Sequence, residues 1–197
     1  MAEDNRTKIL DLAVAAIDAG GEAGLRVTHI IAEAGITPPV LYYHFGSRDG
    51  LVIAAQIQRY TRQTKADIAA IGRGVAKCSS AEELRTALVI TWKRSLAQRA
   101  ESRWRRTNVV GSAYARPELM SAVAQAQDEI VAELTRILEP CRERGWLRPG
   151  IDLPSAIAWH HSLLIGRVYI EHGQREGDTA ECDRLTLDAL CQAFFGS

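Results

Sequence analysis

Apolar residues recur at helical spacing along almost the whole chain, and this pattern most constrains the fold. Ile9, Ala13 and Ile17 share one face of the first predicted helix, and similar stripes follow in every long segment. The two-residue alternation typical of strands is absent, since Val and Ile lie inside runs rich in Ala, Leu and Glu. The sequence therefore predicts an all-α protein with about nine helices.

Glycines, prolines and capping residues indicate where these helices begin and end. Asn5, Ser47 and Ser80 are the expected N-caps. We predict helices at about 5–19, 27–34, 38–45, 48–71, 81–100, 117–144, 154–172 and 179–195. The basic stretch at about 102–116 is predicted to be irregular. We expect two domains joined by the long fourth helix, a three-helix head at 1–47 and a larger helical body at 48–197.

Composition excludes several classes of protein before any motif is considered. The 197 residues have a formal net charge of zero, so the molecule as a whole is not a polycation. No apolar run approaches the length of a spanning helix, and no secretory pattern begins the chain, which favours a cytoplasmic location. The four cysteines are widely spaced without a C-x-x-C motif, so neither a zinc site nor a disulfide framework is expected.

Two short predicted helices flank Gly35, a residue that allows the positive φ angle needed in a tight turn. Spacing alone supports a helix-turn-helix and an ordinary helical hairpin equally well. In either case Ile30, Ala34, Ile36, Leu41 and Phe45 have the spacing to pack against the first helix.

The second of these short helices has an unusual outward face, which favours the helix-turn-helix. At about 100° per residue, Leu41 and Phe45 point one way, and Pro39, Val40 and Tyr43 point roughly the opposite way. A surface helix normally exposes charged residues. Apolar atoms can instead contact thymine methyl groups, and hydroxyl or imidazole groups can hold phosphates.

The run IIAEAGITPPVLYYHFGSRDGL, residues 30–51, resembles the N-terminal DNA-binding domain of TetR-family transcriptional regulators. The resemblance implies phosphate contacts from Thr37, Tyr42, His44 and Arg48. It implies contacts to bases in the major groove from Thr28, Pro39, Val40 and Tyr43. Pro38, which begins the third helix, and Ser47, which caps the fourth, complete the predicted DNA-binding surface. Arg26 and Ile31 depart from the family pattern, which affects local packing only.

The same resemblance implies a body that dimerises through its last two long helices and binds a small-molecule effector. Paired recognition helices would then meet a palindromic operator about 34–36 Å apart. The broad apolar faces of these helices suit a dimer, and ordinary intramolecular core is the alternative. The predicted dimer residues are Ile157, Leu164, Gly166, Val168, Leu187, Leu190 and Phe194.

An effector site would combine apolar and aromatic walls with a few polar groups. The candidate ligand-binding residues are Trp92, Arg103, Trp104, Asn108, Tyr114, Trp159, His160, His161 and Tyr169. Aromatic residues at helical spacing are more often ordinary core than part of a binding site. Adjacent helical residues differ by about 100°, so His160 and His161 are not expected to share a metal ion. His161 and His172 share a face but lie about 16 Å apart by helical rise. No cofactor is expected.

Charge is distributed unevenly along the chain. Residues 93–116 contain seven basic side chains and one acidic one, which suits a solvated cationic face, an anionic effector site or an auxiliary contact with DNA. Residues 1–50 contain seven acidic side chains and four basic ones. Phosphate neutralisation normally drives DNA affinity, so we expect modest salt dependence and weak non-specific binding.

The residues of the third helix, together with what the family resemblance implies, favour a ligand-responsive DNA-binding repressor released by its effector. Two other classes stay open at this point. One is a helical enzyme using His160, His161, Glu171 or Cys141, although no catalytic sequence motif supports it. The other is a protein–protein adaptor that uses the aromatic third helix as its docking surface. We expect no enzymatic activity.

Overall fold

The computed structural model describes residues 2–171 and 178–196, and every regular element within them is helical, which confirms the all-α class. The helices of the described residues are α1 (Ala2–Gly24), α2 (Val27–Ala34), α3 (Pro38–Phe45), α4 (Arg48–Val75), α5 (Ala81–Gln98), α6 (Ala100–Ala113), α7 (Pro117–Glu143), α8 (Leu153–Gly166), α9 (Val168–Glu171) and α10 (Asp178–Phe195). His172 and the end of the predicted helix at 154–172 lie outside the described residues.

Two compact units divide the chain. The N-terminal unit comprises residues 1–62 and 109–123, and the C-terminal unit comprises 63–108 and 124–197. The first half of α4 therefore groups with the predicted head, because Leu51, Val52 and Ala55 belong to the same buried cluster as the first three helices. Each unit has its own core.

The core of the N-terminal unit follows from the helical stripes of the sequence. Ile9, Ala13 and Ile17 of α1 are almost fully buried, and Leu41 of α3 is fully buried against them. Ile30, Ala34 and Phe45 join the same cluster, and Ile36 packs against it as a partly buried residue, as the spacing predicts. Each large aliphatic or aromatic side chain buried in this way stabilises the fold by about 1.5–3 kcal/mol.

Some predicted boundaries are wrong for identifiable reasons. Asn5 lies inside α1 and is not its cap, since the helix already begins at Ala2. The Gly20-Gly21 pair does not end α1 but kinks it at Gly21, whose φ of 65° is non-helical. The caps at Ser47 and Ser80 are confirmed, because the Ser47 hydroxyl accepts from the Gly50 amide and the Ser80 hydroxyl from the Glu83 amide.

The prediction of an irregular stretch at 102–116 is also wrong. Most of this stretch is α6, whose buried face contains Arg103, Val109 and Ala113. An arginine therefore occupies a core position where a helical stripe normally has an apolar residue. The sequence does not reveal this stripe, because the carboxylate that pairs with the buried guanidinium, Glu171, lies 68 positions later in the chain.

In the C-terminal unit, α10 packs against α5, α8 and α9. The predicted helix at 154–172 is interrupted, since α8 ends at Gly166 and the short α9 begins at Val168. Gly166 has a low intrinsic preference for helix, which destabilises the helical conformation at this point. Arg167, between the two helices, directs its side chain to Asp183 of α10.

Candidate nucleic-acid interface and the buried cluster of the C-terminal unit

The turn between α2 and α3 is a Schellman motif centred on Gly35. This residue has φ 67° and ψ 37°, in the left-handed region that glycine adopts without a steric penalty. Its amide donates to the Ala32 carbonyl, and the Ile36 amide donates to the Ile31 carbonyl. The Lys8 ammonium donates to the Ala34 carbonyl at 2.8 Å, which satisfies a further carbonyl at the end of α2. The geometry is that of a helix-turn-helix, in which α3 is the second helix.

Helix α3 places its prolines and tyrosines outward. Leu41 and Phe45 are buried, whereas Tyr43 is 83% exposed and Tyr42 is 45% exposed. Pro39 is exposed, and Val40 and His44 are half-buried. The rings of Tyr43 and His44 lie edge to face at a centroid distance of 5.2 Å. The face predicted to meet DNA is thus accessible in the N-terminal unit.

The start of α3 offers few amide donors. Pro38 and Pro39 have no N–H, and the Val40 amide donates to the Thr37 carbonyl at 3.1 Å. Thr37 precedes the helix as its N-cap residue, but its hydroxyl makes no capping hydrogen bond. It is exposed, as are Thr28 and Pro38, which completes the outward surface around α3.

A tight turn at Gly46 joins α3 to α4. Gly46 has φ 71° and ψ −49°, and the Ser47 amide donates to the Phe45 carbonyl at 2.7 Å, as in a classic γ-turn. This strained conformation strongly favours glycine at its centre. The exposed Ser47 then caps α4 through the Gly50 amide at 2.9 Å.

The basic side chains of the N-terminal unit are largely engaged with the protein itself. The Arg48 guanidinium donates to the Glu22 carbonyl at 2.9 Å and to the Leu25 carbonyl at 3.3 Å. The Arg6 guanidinium lies over the Phe45 ring, 5.5 Å from its centroid. Arg48 thus links α4 to the end of α1 and to Leu25 just after it, although its side chain is still 44% exposed.

In the C-terminal unit, four of the predicted ligand residues are buried, and three of them adjoin one another. The Trp92 ring lies 5.9 Å from the His160 ring and 5.4 Å from the Phe194 ring, centroid to centroid. The His160 and His161 rings lie 5.6 Å apart. The Gln127 side-chain amide is 3.1 Å from Nδ1 of His161. Trp92, His160 and His161 thus form a buried aromatic cluster, which we call the Trp92 cluster.

Both histidines of this cluster are neutral near pH 7. Burial, followed by the proximity of His161, lowers the pKa of His160 to about 3. Burial, followed by the positive charge of Arg106, lowers the pKa of His161 to about 4. The Nε2 atom of His160 is buried and has no hydrogen-bond partner within the described chain. The cluster therefore offers apolar surface and neutral hydrogen-bonding atoms.

The fourth buried residue, Arg103, belongs to an ion-pair network. Its guanidinium donates to the Ser95 carbonyl at 2.5 Å, to the Leu96 carbonyl at 3.0 Å and to the Glu171 carboxylate. Arg167 donates to the same carboxylate at 2.6 Å and holds Asp183 through two bonds. This network joins α5, α6, α9 and α10 within the C-terminal unit.

The remaining predicted ligand residues are not in the Trp92 cluster. Trp104 is half-buried, and Asn108 is exposed. Tyr114 is 89% exposed and falls in the N-terminal unit, while Trp159 and Tyr169 are 39% and 82% exposed. The sequence interpretation missed the arginine–carboxylate network. The i,i+4 spacing of Arg167 and Glu171 was a visible signal for one of its pairs.

Most of the basic stretch at 93–116 is neutralised by nearby carboxylates. Arg99 pairs with Asp67 at 2.8 Å, and Arg103 pairs with Glu171. Arg105 pairs with Glu101 and Arg116 with Glu22, both at 2.5 Å. These pairs weaken the case for an anionic effector at this stretch.

The residues predicted at a dimer interface divide by burial. Ile157, Val168, Leu190 and Phe194 are buried within the single chain and fill its own core, while Leu164, Gly166 and Leu187 are half-buried. The same part of the chain exposes a different set of large apolar side chains, namely Trp159, Tyr169 and Leu185.

A groove of about 640 Å³ also lies in the C-terminal unit and was not anticipated from the sequence. Its walls come from α7 and the start of α8, and include Val131, Thr135, Pro140 and Pro154. None of the predicted ligand residues lines it. Among the described residues, no group of three or more metal-binding side chains occurs, and no helix has the length and apolar character needed to cross a membrane.

Comparison with known proteins shows similarity to a family of regulators in both sequence and structure. Residues 9–55 match the family described as bacterial regulatory proteins, tetR family. No curated protein sequence matches the chain. A candidate TetR-family transcriptional regulator from Mesorhizobium loti has a similar structure, with 16% identity, 98% of each chain covered and a TM-score of 0.75.

Two further solved structures extend the likeness. A candidate transcriptional regulator from Saccharomonospora viridis, solved in complex with choline, is 18% identical over 98% of each chain with a TM-score of 0.64. SmeT, the repressor of the multidrug efflux pump SmeDEF of Stenotrophomonas maltophilia, is 20% identical over 96% of this chain and 89% of its own, with a TM-score of 0.60. Residues 9–55 are therefore a DNA-binding helix-turn-helix domain of the tetR family of bacterial regulatory proteins, and the chain as a whole has the fold of such transcriptional regulators.

Proposed function

We propose that this protein is a repressor that binds a palindromic operator as a homodimer and leaves it when a small molecule binds. The observation that supports this most directly is the outward face of α3. Tyr43 is 83% exposed on a helix whose Leu41 and Phe45 are buried, and this surface follows the Gly35 turn of a helix-turn-helix. An exposed apolar and aromatic helix face without charge has a clear use in the major groove.

On this proposal the side chains of the α3 surface divide into two roles. Thr28, Pro39, Val40 and Tyr43 face bases, and Thr37, Tyr42 and His44 contact phosphates. Pro38 and Ser47 shape the two ends of α3. Arg48 contributes less than the family pattern implies, because its guanidinium already donates to two backbone carbonyls. Two such surfaces related by a two-fold axis would occupy successive major grooves about 34–36 Å apart.

The proposed dimer uses side chains that are exposed in the single chain. Trp159, Tyr169 and Leu185 are large and apolar, and lie on α8, α9 and α10. Trp and Tyr are also enriched in protein interfaces. The buried members of the predicted set, such as Phe194, instead support the helices that present these side chains.

The proposed effector is a small molecule with an apolar body and one or two hydrogen-bonding groups. Support comes from the Trp92 cluster, whose histidines are neutral near pH 7. The paired arginines at 93–116 disfavour an effector held mainly by negative charge. The structurally similar regulators include one solved with choline and one named as the repressor of a drug efflux pump, which supports a small organic effector.

Release would follow from a shift between two conformations with different operator affinity. Effector and operator must then weaken each other's binding by the same factor. An effector that leaves operator affinity unchanged at saturation would exclude this mechanism for that compound.

The deciding experiment is selection of bound duplexes from a random pool, with the wild type and two tyrosine variants. We expect an enriched palindrome for the wild type and loss of its binding in Tyr43→Ala. The matched control is Tyr114→Ala, since Tyr114 is similarly exposed at 89% but lies outside α2, α3 and the proposed dimer surface. Normal duplex binding by a folded Tyr43→Ala protein would favour the adaptor or the His160/His161 enzyme over the regulator.

A further inference from the structure

The segment that forms α2, the turn and α3 lacks the side chains that most often read bases. Residues 27–46 contain no Arg, Lys, Asn or Gln. Bidentate contacts from Arg or Lys identify guanine, and bidentate contacts from Asn or Gln identify adenine. Neither kind of contact is available from this segment, so base recognition there depends on other chemistry.

The nearest basic side chains do not supply the missing contacts. The Arg48 guanidinium donates to the Glu22 and Leu25 carbonyls, and the Lys8 ammonium donates to the Ala34 carbonyl. Arg26 stands at the start of α2, and the first helix of a helix-turn-helix crosses the DNA backbone. Their positions suit phosphate contacts or support of the fold better than contacts to guanine.

The exposed atoms of α3 are instead mainly apolar. Pro39 is exposed, Val40 is partly exposed beside it, and Tyr43 presents an aromatic ring that is 83% exposed. The His44 ring lies 5.2 Å from this ring, centroid to centroid, in an edge-to-face arrangement. Among the four bases, only thymine presents an apolar group in the major groove, its 5-methyl group.

We propose that α3 recognises its operator through thymine methyl groups, which Pro39, Val40 and the Tyr43 ring contact. This inference rests on the proposed function and specifies its DNA partner. Each half-site then contains two or three thymines where α3 lies, on either strand. Single hydrogen bonds from hydroxyl or imidazole groups add to this selection, and no guanine is read by a bidentate contact.

The test uses wild-type protein and the duplex enriched by selection. Each thymine of a half-site is replaced in turn by deoxyuridine, which removes the methyl group and keeps base pairing. Burial of one methyl-sized group corresponds to about a fourfold change in affinity, so the dissociation constant should rise about fourfold at each contacted thymine. Deoxyuridine placed outside the half-sites is the matched control and should change nothing.

A second measurement assigns the contact to a side chain. In Val40→Ala or Pro39→Ala, the affinity difference between thymine and deoxyuridine should shrink at one position of the half-site and persist at the others. Replacing that thymine by 5-methylcytosine should retain more affinity than replacing it by cytosine, because only the former keeps the methyl group.

The outcomes separate this inference from the function on which it rests. Enrichment of a palindrome whose affinity stays within about twofold after every deoxyuridine substitution would overturn methyl recognition and leave the regulator intact. A half-site consisting of invariant guanines would do the same. Failure to enrich any duplex would instead contradict the proposed function itself.

Discussion

At the scale of single residues, His160 and His161 show how burial sets chemistry. Their pKa values, about 3 and about 4, lie below the ordinary value of 6.5. The unfolded chain therefore binds more protons than the folded one as the pH falls from about 6.5 towards 4. Stability contributed by the neutral rings is complete above pH 6.5 and is lost progressively below it.

We predict that His161→Asn reduces this acid sensitivity. Asparagine keeps an acceptor for Gln127 and removes one titrating group. Between pH 7 and pH 5 the wild type should lose about 2 kcal/mol more free energy of unfolding than the variant. Urea unfolding at both pH values measures this difference. His29→Asn is the control, because His29 is exposed, and an equal effect there would refute the assignment.

The burial of single residues was predictable where an apolar residue lies on the apolar face of its helix. Leu41 and Phe45 inside, with Tyr43 outside, follow from spacing of about 100° per residue. Arg103 is a charged residue on the buried face of α6, and its burial depends on Glu171, 68 positions later in the chain. A single sequence gives no account of such a pair until the fold brings the two helices together.

At the scale of elements, two glycines of α4 should respond oppositely to the same substitution. A Cβ at Gly50 would lie 2.0 Å from the Phe45 carbonyl oxygen, whereas a Cβ at Gly74 meets nothing within 4 Å. We expect Gly50→Ala to destabilise the protein by about 2 kcal/mol or more, through the turn after α3. Gly74→Ala should instead stabilise it by about 0.5–1 kcal/mol.

Thermal unfolding of the two variants beside the wild type tests this contrast. Duplex binding should also weaken in Gly50→Ala, since the displaced turn positions the end of α3. Equal stability of the two variants would show that the close approach of Gly50 to Phe45 has no energetic weight.

A second prediction for elements concerns the network that joins α6 to α9 and α10. Glu171→Gln leaves the charge of the buried Arg103 uncompensated, and removal of one partner from a buried pair costs about 3–5 kcal/mol. Arg184→Ala breaks ion pairs that are more than half exposed, and should have little effect. Chemical denaturation measures the free energy of unfolding of both variants. A small loss of this free energy in Glu171→Gln would mean that the network contributes little to stability.

Element boundaries were predictable to the extent that local signals set them. The α2–α3 turn follows from Gly35, and the start of α5 follows from Ser80 and Glu83. The interruption at Arg167 was not foreseen, because a contact with Asp183 of α10 accompanies it. The outward direction of Pro39 and Tyr43 on α3 was predictable from helical spacing. The predicted ligand residues are instead divided between the Trp92 cluster and the surface, because aromatic residues at helical spacing fit both places.

At the scale of the whole molecule, the proposed dimer predicts which surface substitution changes the oligomeric state. Leu185 on α10 and Ile90 on α5 are similarly exposed, at 55% and 53%. Leu185→Glu buries a charge in the proposed interface and should raise the dimer dissociation constant at least about thirtyfold. Ile90→Glu should leave it unchanged. Sedimentation velocity over a concentration series measures both, and the reverse ranking would place the interface elsewhere.

The charge distribution predicts a shallow dependence of operator affinity on salt. Residues 1–50 have four basic side chains against seven acidic ones, and Lys8 and Arg48 already donate to backbone carbonyls. With one or two cationic phosphate contacts per protomer, a dimer has a slope of about −2 to −4 in log affinity against log salt. Fluorescence anisotropy between about 50 and 200 mM salt gives the slope, and a value near −10 would contradict the proposal.

The hydrogen bonds of Lys8 and Arg48 to backbone carbonyls affect how DNA binding responds to a change in salt. A rise in salt concentration weakens regulators that bind DNA through many contacts between cations and phosphates. Side-chain cations that instead join two helices of the protein release no counterions from DNA. On the proposed function, a rise in salt should therefore release this protein from its operator less than it releases a regulator that binds DNA through many arginines and lysines.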